Sequence, residues 1–226
     1  MTDPAIIIAV DGPAASGKGT LARRMAEHFG LRHIDSGKLY RATAWRVLRD
    51  GGDPNDSRLA TRAARNLVEN DLEAPELVDE IVGQAASRVA TIPAVRAALV
   101  ERQRALAVQP PGTIMDGRDI GTVVFPQADH KLFVTASLDC RAGRRWRELR
   151  DRGEDEDFDS VRRNLAERDE RDTSRALAPL VPASDAVVID TTDLDVEGAL
   201  AAAIATIGFR DGMPAKTSEL TVRQKP

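Results

Sequence analysis

Short apolar runs separated by amphipathic stretches organise most of this chain. The run "AIIIAV" at 5–10 is short and continuously apolar, as in a strand that is buried on both faces. "GTIMD" at 112–116 and "DAVVID" at 185–190 are also predicted to be strands. "LRHI" at 31–34 and "HKLFVTA" at 130–136 are two further strand candidates. Because these segments alternate with helical patterns, the chain is predicted to form an α/β fold with a parallel sheet covered on both faces.

Helical periodicity fills the segments between the predicted strands. "GTLARRMAEHFG" at 19–30 and "SGKLYRATAWRVLRDGG" at 36–52 both end in glycine, and Ser36 is the predicted N-cap of the second helix. Residues 53–109 read as mainly helical with breaks near three prolines, and a highly charged helical stretch covers 138–175. These patterns place most of the non-strand residues in helices.

The predicted organisation is one core with insertions. The core comprises 1–52 and 108–210 and includes a small lid at about 150–160, while 53–107 form a helical insertion. Residues 211–226 contain few apolar side chains and are predicted to be a disordered tail.

Composition narrows the function classes. The chain has 226 residues, 42% of them hydrophobic, and a formal net charge of −4, so no global basic field attracts nucleic acid. An anionic ligand must therefore be bound by a local cluster of donors. No apolar stretch approaches a membrane-spanning length, and no signal peptide is visible at the start. The sequence pattern does not indicate a large exposed apolar face, so the chain is predicted to be a monomer.

Cysteine and histidine usage points away from disulfides and zinc. The single cysteine, Cys140, excludes an internal disulfide, fits a reducing cytoplasm and is predicted to be a small buried side chain. His28, His33 and His130 lack the spacing of a zinc site. Surface or structural roles are predicted for all three histidines.

The stretch "GPAASGKGT" at 12–20 lies between the first predicted strand and a helix. Glycines let a backbone approach a ligand closely, and successive N–H groups at a helix N-terminus form an anion site. Lys18 adds a positive charge. A glycine-rich turn with a chance lysine is the alternative, but the strand-loop-helix context favours phosphate binding. The predicted contacts are Gly12, Pro13, Ala14, Ala15, Ser16, Gly17, Lys18, Gly19 and Thr20.

Gly19 stands where the usual phosphate loop carries the serine or threonine that binds Mg²⁺. Thr20, one residue later, is the nearest hydroxyl and a candidate ligand of phosphate or metal. Mg²⁺ is therefore predicted to be held mostly by the nucleotide and water, with Thr20 and Asp116 as the candidate protein groups. This arrangement favours an enzyme that uses a soluble donor nucleotide over a long-lived nucleotide switch.

A second charged group, Asp116-Gly117-Arg118-Asp119, follows an apolar strand. Asp116 at the strand end can orient the waters of Mg²⁺, and the guanidinium of Arg118 matches a phosphate group. The alternative is a charged turn in which Asp and Gly serve the geometry. An arginine between two carboxylates at a strand exit favours the phosphate site.

Four motifs together carry a resemblance to a known family. The loop at 12–20 resembles that of nucleoside monophosphate kinases. With "DSGKLYR" at 35–41, "DGRDIGTVVFP" at 116–126 and "ERDERDTSRALAPL" at 167–180, the chain resembles the bacterial cytidylate kinase family over roughly residues 5–208.

The resemblance implies a three-layer P-loop sandwich around a five-stranded parallel sheet, with 53–107 as the monophosphate-binding insertion. The implied activity is ATP- and Mg²⁺-dependent phosphorylation of CMP and dCMP in the cytoplasm, with in-line transfer. Two alternatives stay open: a kinase of UMP or AMP, and a non-enzymatic module that closes on ATP to bind a partner.

The resemblance also assigns roles to individual side chains. Arg41 and Arg118 would bind the acceptor phosphate, and Ser87 and Arg96 would read the cytosine. Family members often carry a longer, strand-rich stretch before this point, whereas 69–84 is short and helical in pattern. The implied acceptor contacts are Ser36, Arg41, Ser87, Arg96, Arg118, Asp119, Arg168, Asp172 and Arg175. The implied catalytic residues are Lys18, Asp116, Arg118 and Arg168.

The charged stretch at 138–175 has two readings. Most of its charges fit solvated helices with ion pairs. Arg168, Asp172 and Arg175, however, are spaced i, i+4 and i+7 on one predicted helix face. A lid hinged near Gly153 would carry arginines to the phosphates and exclude water. Which arginines reach the donor stays open among Arg144, Arg145, Arg147, Arg150 and Arg152, with Arg144 as the first candidate.

Overall fold

In the computed structural model, residues 5–210 and 213–214 are described. Five strands form one sheet in the order β2-β3-β1-β4-β5. They are β1 (Ile6–Asp11), β2 (Arg32–Asp35), β3 (Gly112–Gly117), β4 (His130–Thr135) and β5 (Val187–Asp190). Strand β1 is parallel to both β3 and β4, and β4 is parallel to β5. The predicted α/β fold with a five-stranded parallel sheet is therefore confirmed.

Helices connect the strands along the chain. They are α1 (Lys18–Phe29), α2 (Ser36–Arg49), α3 (Ser57–Arg65), α4 (Glu69–Leu72), α5 (Glu80–Val89), α6 (Pro93–Ala107), α7 (Leu138–Asp151), α8 (Phe158–Ser174) and α9 (Val196–Thr206). A 3₁₀ turn at Pro75–Val78 and a π-helical turn at Ile120–Val124 complete the set. None of the helices in the described ranges has both the length and the apolar character needed to cross a membrane.

Two short strands lie near the end of the described chain. Strands β6 (Phe209–Arg210) and β7 (Met213–Pro214) pair in antiparallel fashion. Of the tail predicted at 211–226, only 213–214 fall within the described residues, and they are part of this pair. The prediction of disorder for the rest concerns residues outside the description.

The chain divides into two compact units. The first contains residues up to Ile34, residues 107–174 and those from Pro179 onward. Its core is formed by fully buried strand residues such as Ile8, Ile114 and Val134, which pack with α1 and α9. A fully buried aliphatic side chain contributes about 1.5–3 kcal/mol, which explains why the buried strand β1 reads as a continuous apolar run.

The second unit comprises Asp35–Leu106 with Arg175–Ala178. Its core contains Leu39 and Val47 of α2 together with Val89 of α5 and Leu99 of α6. Helix α2 packs against α3 and α5, so it belongs with these helices rather than with the core to which residues 36–52 were predicted to belong. The stretch 69–84 is helical, as its pattern predicts, and contains α4, the 3₁₀ turn and the start of α5.

Two local predictions were wrong. The N-cap of α2 is Asp35, whose side chain accepts a hydrogen bond from the Lys38 N–H at 3.2 Å, while Ser36 is the first helical residue and is buried. Arg175 is not on the face of α8, because the helix ends at Ser174. Its Nε donates instead to the carbonyl of Ala178 at 2.5 Å, in a turn where Ala178 has a φ of 51°.

Candidate active site

Chemically active residues follow the carboxyl ends of the strands in the first unit. Asp11 at the end of β1 lies beside Gly117 at the end of β3, and Thr135 of β4 lies beside Asp190 of β5. Open parallel sheets bind ligands at this edge. The loop after β1, the Arg118-Asp119 pair and the segment after β5 therefore converge on one side of the sheet.

Gly12 begins the loop after β1, and a side chain at this position would collide with β4 unless the loop shifted. Its φ is 154°, and a Cβ added there would lie 2.0 Å from the carbonyl oxygen of Val134. The absent side chain lets the loop pass directly over β4. At the other end of the loop, Gly17 is the N-cap of α1, and no side chain within the described residues caps this helix. The first N–H groups of α1 are thus open to an anion.

Cationic side chains hold the carbonyls of the loop. The Nζ of Lys18 donates to the carbonyl of Pro13 at 3.1 Å, and Nη1 of Arg141 donates to that of Ala14 at 3.2 Å. Arg141 is buried and also binds a carboxylate oxygen of Asp169 on α8 at 2.6 Å. Because a trans peptide places N–H opposite C=O, each held carbonyl turns the next N–H to the other side.

Thr191 and Arg144 hold the last loop carbonyl. The Thr191 hydroxyl donates to the carbonyl of Ser16 at 3.0 Å, and Nη1 of Arg144 approaches the same oxygen at 3.4 Å. Arg144 also donates to the Thr191 carbonyl at 2.6 Å. The hydroxyl oxygen of Ser16 is buried without a hydrogen-bond partner among the described residues. A buried hydroxyl without a partner, in a loop whose carbonyls are held by side chains, suits an anionic ligand.

A cleft of about 600 Å³ opens beside the loop in the first unit, within the size range of small-molecule sites. Arg144, the candidate for the donor side, is in its wall, and so is Thr20, on the first turn of α1. Thr191, which sequence reasoning missed, also lines the cleft, and so does Arg147, which was one of the open candidates for the donor side. The loop and cleft residues are Ser16, Gly17, Thr20, Leu21, Cys140, Arg144, Arg147, Thr191, Thr192, Asp193, Leu194, Asp195, Val196 and Ala199.

The prediction that Cys140 is buried was wrong, and the sequence left open which of the arginines at 144–152 reach the donor. Cys140 is only partly buried, with its Sγ 3.5 Å from the Thr192 carbonyl, because it faces the cleft rather than the core. Arg145 and Arg152 both pair with Glu148 on the same helix. Arg150 lies over the Trp146 ring, 4.9 Å from its centroid. Only Arg144 and Arg147 of this group line the cleft.

Asp116 has a partner that sequence reasoning did not identify. Its Oδ1 lies 2.8 Å from Nε2 of His33 on β2, and its side chain is 6% exposed. A Cβ added at Gly19 would lie 3.6 Å from the Oδ2 of Asp116. The carboxylate therefore stands beside the position where the usual loop carries its metal-binding hydroxyl. His33 was predicted to be structural or on the surface; its ring instead contacts the predicted metal-side acid.

Arg118 and Asp172 form an ion pair in the first unit. The Nε of Arg118 is 3.0 Å from Oδ2 of Asp172, and the two side chains are 17% and 5% exposed. Asp172 is on α8, one turn after the partly buried Arg168. Both residues were predicted to meet the acceptor. Their pairing places a guanidinium, held in orientation by a carboxylate, just beyond the end of β3.

Asp11 fastens the segment that follows Arg118 and Asp119. Its two carboxylate oxygens each accept a backbone hydrogen bond at 2.8 Å, from Ile120 and from Gly121. Burial raises the pKa of Asp11 to about 6, and the negative charge of Asp119 adds to this, against the lowering effects of the two N–H groups and Arg118. Asp119 itself is buried next to this turn.

The remaining predicted acceptor residues lie in the second unit. Ser36 begins α2, and Arg41 on the same helix donates from Nη1 to the Leu77 carbonyl at 2.7 Å. A Cβ at Gly83 of α5 would come within 3.4 Å of this guanidinium, so Gly83 leaves room for Arg41. Ser87 follows Gly83 by one helical turn and is buried.

Arg96 is a buried arginine on α6. Its guanidinium carbon lies 5.9 Å from the centre of the Tyr40 ring, within the range of a cation–π contact. Arg175, at the edge of this unit, is held by the Ala178 carbonyl. Within residues 5–210 and 213–214, no group of three or more His, Cys, Asp or Glu side chains can hold a metal.

The parallel α/β sheet and the glycine-rich loop between β1 and α1 define a P-loop protein. A model of the cytidylate kinase family matches residues 8–208. The chain belongs to the cytidylate kinase family. It is 55% identical over 215 residues to a cytidylate kinase of Methylocella silvestris, covering 93% of this chain and all of that one. It is 57% identical over 203 residues to a cytidylate kinase of Acidiphilium cryptum, covering 90% and 95%.

A solved structure supports the fold alone. The crystal structure of an uncharacterized protein from Eubacterium ventriosum is similar with a TM-score of 0.50 at 15% identity, covering 89% of this chain and 97% of that one.

The first prediction concerns Gly12. In Gly12→Ala the new methyl group meets the Val134 carbonyl at 2.0 Å, so the loop must shift. Overpacking costs about 1–3 kcal/mol, and ATP affinity should fall at least about 10-fold. Gly30→Ala is the matched control, because Gly30 also has a positive φ of 65° but no atom within 4 Å of the new Cβ. Calorimetric titration with ATP measures both; equal affinities would show that the close approach at Gly12 is unimportant.

The second prediction concerns pH. The folded chain holds the Asp11 proton more tightly than the unfolded chain, where the carboxyl titrates near 3.8. The Asp11 contribution to stability is therefore complete below about pH 4 and is lost as pH rises through about 6. Between pH 7.5 and 4.5 the free energy of unfolding should rise by about 2 kcal/mol relative to Asp11→Asn. Urea denaturation of both chains at each pH measures this; parallel pH profiles would contradict it.

Proposed function

We propose that this chain transfers the γ-phosphoryl group of ATP to CMP and dCMP, giving CDP and dCDP. The observation that carries the proposal is the loop at 12–17, in which side chains hold the carbonyls and leave the N–H groups for phosphate oxygens. Membership of the cytidylate kinase family supports a cytosine nucleotide as the acceptor.

The chemistry needs alignment and charge neutralisation rather than a base. The second pKa of an acceptor phosphate is about 6, so at neutral pH the acceptor oxygen is already a nucleophile. Lys18, at the start of α1, is buried at the loop and neutralises charge on the transferring group. Arg118 would bind the acceptor phosphate. Arg168 on α8 would add positive charge in the transition state.

Mg²⁺ fits this arrangement. When bound with ATP, it neutralises the β- and γ-phosphate oxygens. The carboxylate of Asp116 lies at the first turn of α1 and is the group that would hold the waters of the ion, and Thr20 offers a hydroxyl one residue after Gly19. Carboxylate and water oxygens are the ligands that this ion prefers.

We propose that the 600 Å³ cleft takes the donor nucleotide. Arg144 is anchored to three carbonyls at the wall of this cleft, with Nη1 still 3.7 Å from the position of a Cβ at Gly17. Its charge therefore lies beside the loop. Arg147, in the same wall, is the second arginine that we assign to the donor.

Cytosine recognition is assigned to the second unit. Arg96 can donate to the cytosine carbonyl or ring nitrogen, and the hydroxyl of Ser87 can donate or accept. Ser36 and Arg41 would bind the acceptor phosphate, with Arg175 near the sugar or base. Asp119 would accept a hydrogen bond from the exocyclic amine, and Asp172 would meet the sugar hydroxyls. The assignment of this unit as the monophosphate-binding insertion, and of 150–160 as a closing lid, stays a prediction.

A cytoplasmic monomer also stays a prediction. A chain with one cysteine cannot form an internal disulfide, which suits a reducing compartment. The alternatives, a UMP or AMP kinase and a non-enzymatic ATP-binding module, predict different acceptors or none.

The third prediction tests the activity. A coupled assay with ATP and a panel of CMP, dCMP, UMP and AMP should show good transfer to the cytosine nucleotides, poor transfer to UMP and almost none to AMP.

Lys18→Ala should lower turnover by at least about 100-fold without unfolding the protein. Arg24→Ala on the same helix is the control, because Arg24 only pairs with the exposed Glu197. Near-normal turnover of Lys18→Ala would remove the loop from the mechanism.

The fourth prediction tests the base contacts. Cytosine presents an amine donor beside a ring-nitrogen acceptor, and uracil reverses both. Each unmatched buried group costs about 1–3 kcal/mol, so Ser87→Ala and Arg96→Ala should each reduce the CMP-over-UMP preference about 10-fold. Turnover at saturating CMP should change less. Glu101→Ala, an exposed change on α6, should leave the preference intact. A uniform loss of activity on both acceptors would contradict this assignment.

A further inference from the structure

The contact between the His33 ring and the Asp116 carboxylate has no role in the function proposed above. Nε2 of the ring lies 2.8 Å from Oδ1, and the two side chains are 20% and 6% exposed. A carboxylate oxygen can only accept, so Nε2 is the donor. The contact takes up one carboxylate oxygen and leaves the other to face elsewhere.

The second carboxylate oxygen faces the helix that follows the loop. Outside α1 itself, Oδ2 of Asp116 is the atom nearest to the position that a Cβ of Gly19 would occupy, at 3.6 Å, with Oδ1 at 4.0 Å. In the usual loop this position carries the hydroxyl that reaches Mg²⁺. A glycine there removes that hydroxyl, and the space on this side of α1 adjoins the Asp116 carboxylate instead.

The orientation of this carboxylate is not fixed by its own backbone. Asp116 lies near the end of β3, and its side chain can rotate about two bonds. A hydrogen bond from a ring on the adjacent strand β2 selects one orientation. Groups that orient a metal-directed ligand typically change metal affinity 10- to 100-fold when they are removed.

We propose that His33 is a positioning residue that holds the Asp116 carboxylate toward Gly19 and thereby sets how strongly Mg²⁺ increases ATP affinity. This inference rests on the proposed ATP- and Mg²⁺-dependent function. His33 touches neither nucleotide nor metal; it acts through Asp116. The His33–Asp116 pair would do the work that a loop hydroxyl does in the usual motif.

The test is calorimetric binding of ATP, without acceptor, in Mg²⁺ and in EDTA. The ratio of the two dissociation constants gives the Mg²⁺ gain, which requires no turnover. His33→Leu and His33→Asn, whose shorter amide does not reach Oδ1, should both lower this gain about 10-fold. Both should leave the affinity in EDTA within about twofold of wild type, because the loop itself is intact. His33→Gln, whose amide can donate near the position of Nε2, should restore most of the gain.

Controls separate positioning from stability. His28→Leu, an exposed histidine change on α1, should leave the gain unchanged. His33→Leu should have no further effect in an Asp116→Asn background. Thermal unfolding is followed for every variant, and His33→Asn keeps the site polar if His33→Leu does not fold.

Three results would overturn the inference. They are a full Mg²⁺ gain in His33→Asn with only a lower melting temperature, a His33→Gln variant no better than His33→Asn, and a wild-type chain that binds ATP equally well with and without Mg²⁺. Transfer to CMP, assayed on the same wild-type preparation, reports separately on the proposed function.

Discussion

The structure around the nucleotide loop depends on which way its peptide carbonyls face. Lys18 holds the carbonyl of Pro13, Arg141 that of Ala14, and Thr191 that of Ser16. Because the peptide unit is planar, the N–H groups of the following residues face the opposite side before any ligand arrives. Donors that are already oriented require no reorganisation when phosphate charge appears. In a chain with a formal net charge of −4, this local arrangement replaces a global basic field.

The anchors of the loop come from distant parts of the sequence. Arg141 is at the start of α7, and Thr191 follows β5 directly. Parallel strands bring these segments together, because the carboxyl ends of β1, β4 and β5 meet at one edge. A buried cluster of Ala14, Ala142 and Leu165 packs α7 and α8 under the loop. The charged helices on either side of the predicted lid are therefore a support of the loop, and Arg141 connects α8 to it through Asp169.

Buried carboxylates next to a phosphate site need partners, since unpaired negative charge would repel the ligand. Asp11 is satisfied by two backbone N–H groups, Asp116 by a histidine ring and Asp172 by the Arg118 guanidinium. The three solutions have different consequences. Asp11 keeps a raised pKa and fastens a turn. The histidine ring orients the Asp116 carboxylate, and Asp172 orients the Arg118 guanidinium. One residue type thus fastens a turn, pairs with a histidine and pairs with an arginine in one small region.

The sequence by itself determined the strands, the phosphate loop and the family. The apolar runs and the loop motif are each formed by residues that are consecutive in the chain. Both can therefore be recognised from the sequence without the tertiary structure. The N-cap of α2, the end of α8 and the grouping of α2 with α5 depended on packing and on local hydrogen bonds. Arg141, Thr191 and His33 were recognisable only in the tertiary structure. Their roles arise from contacts with residues about 80 to 175 positions away, and no pattern along the chain encodes such pairings.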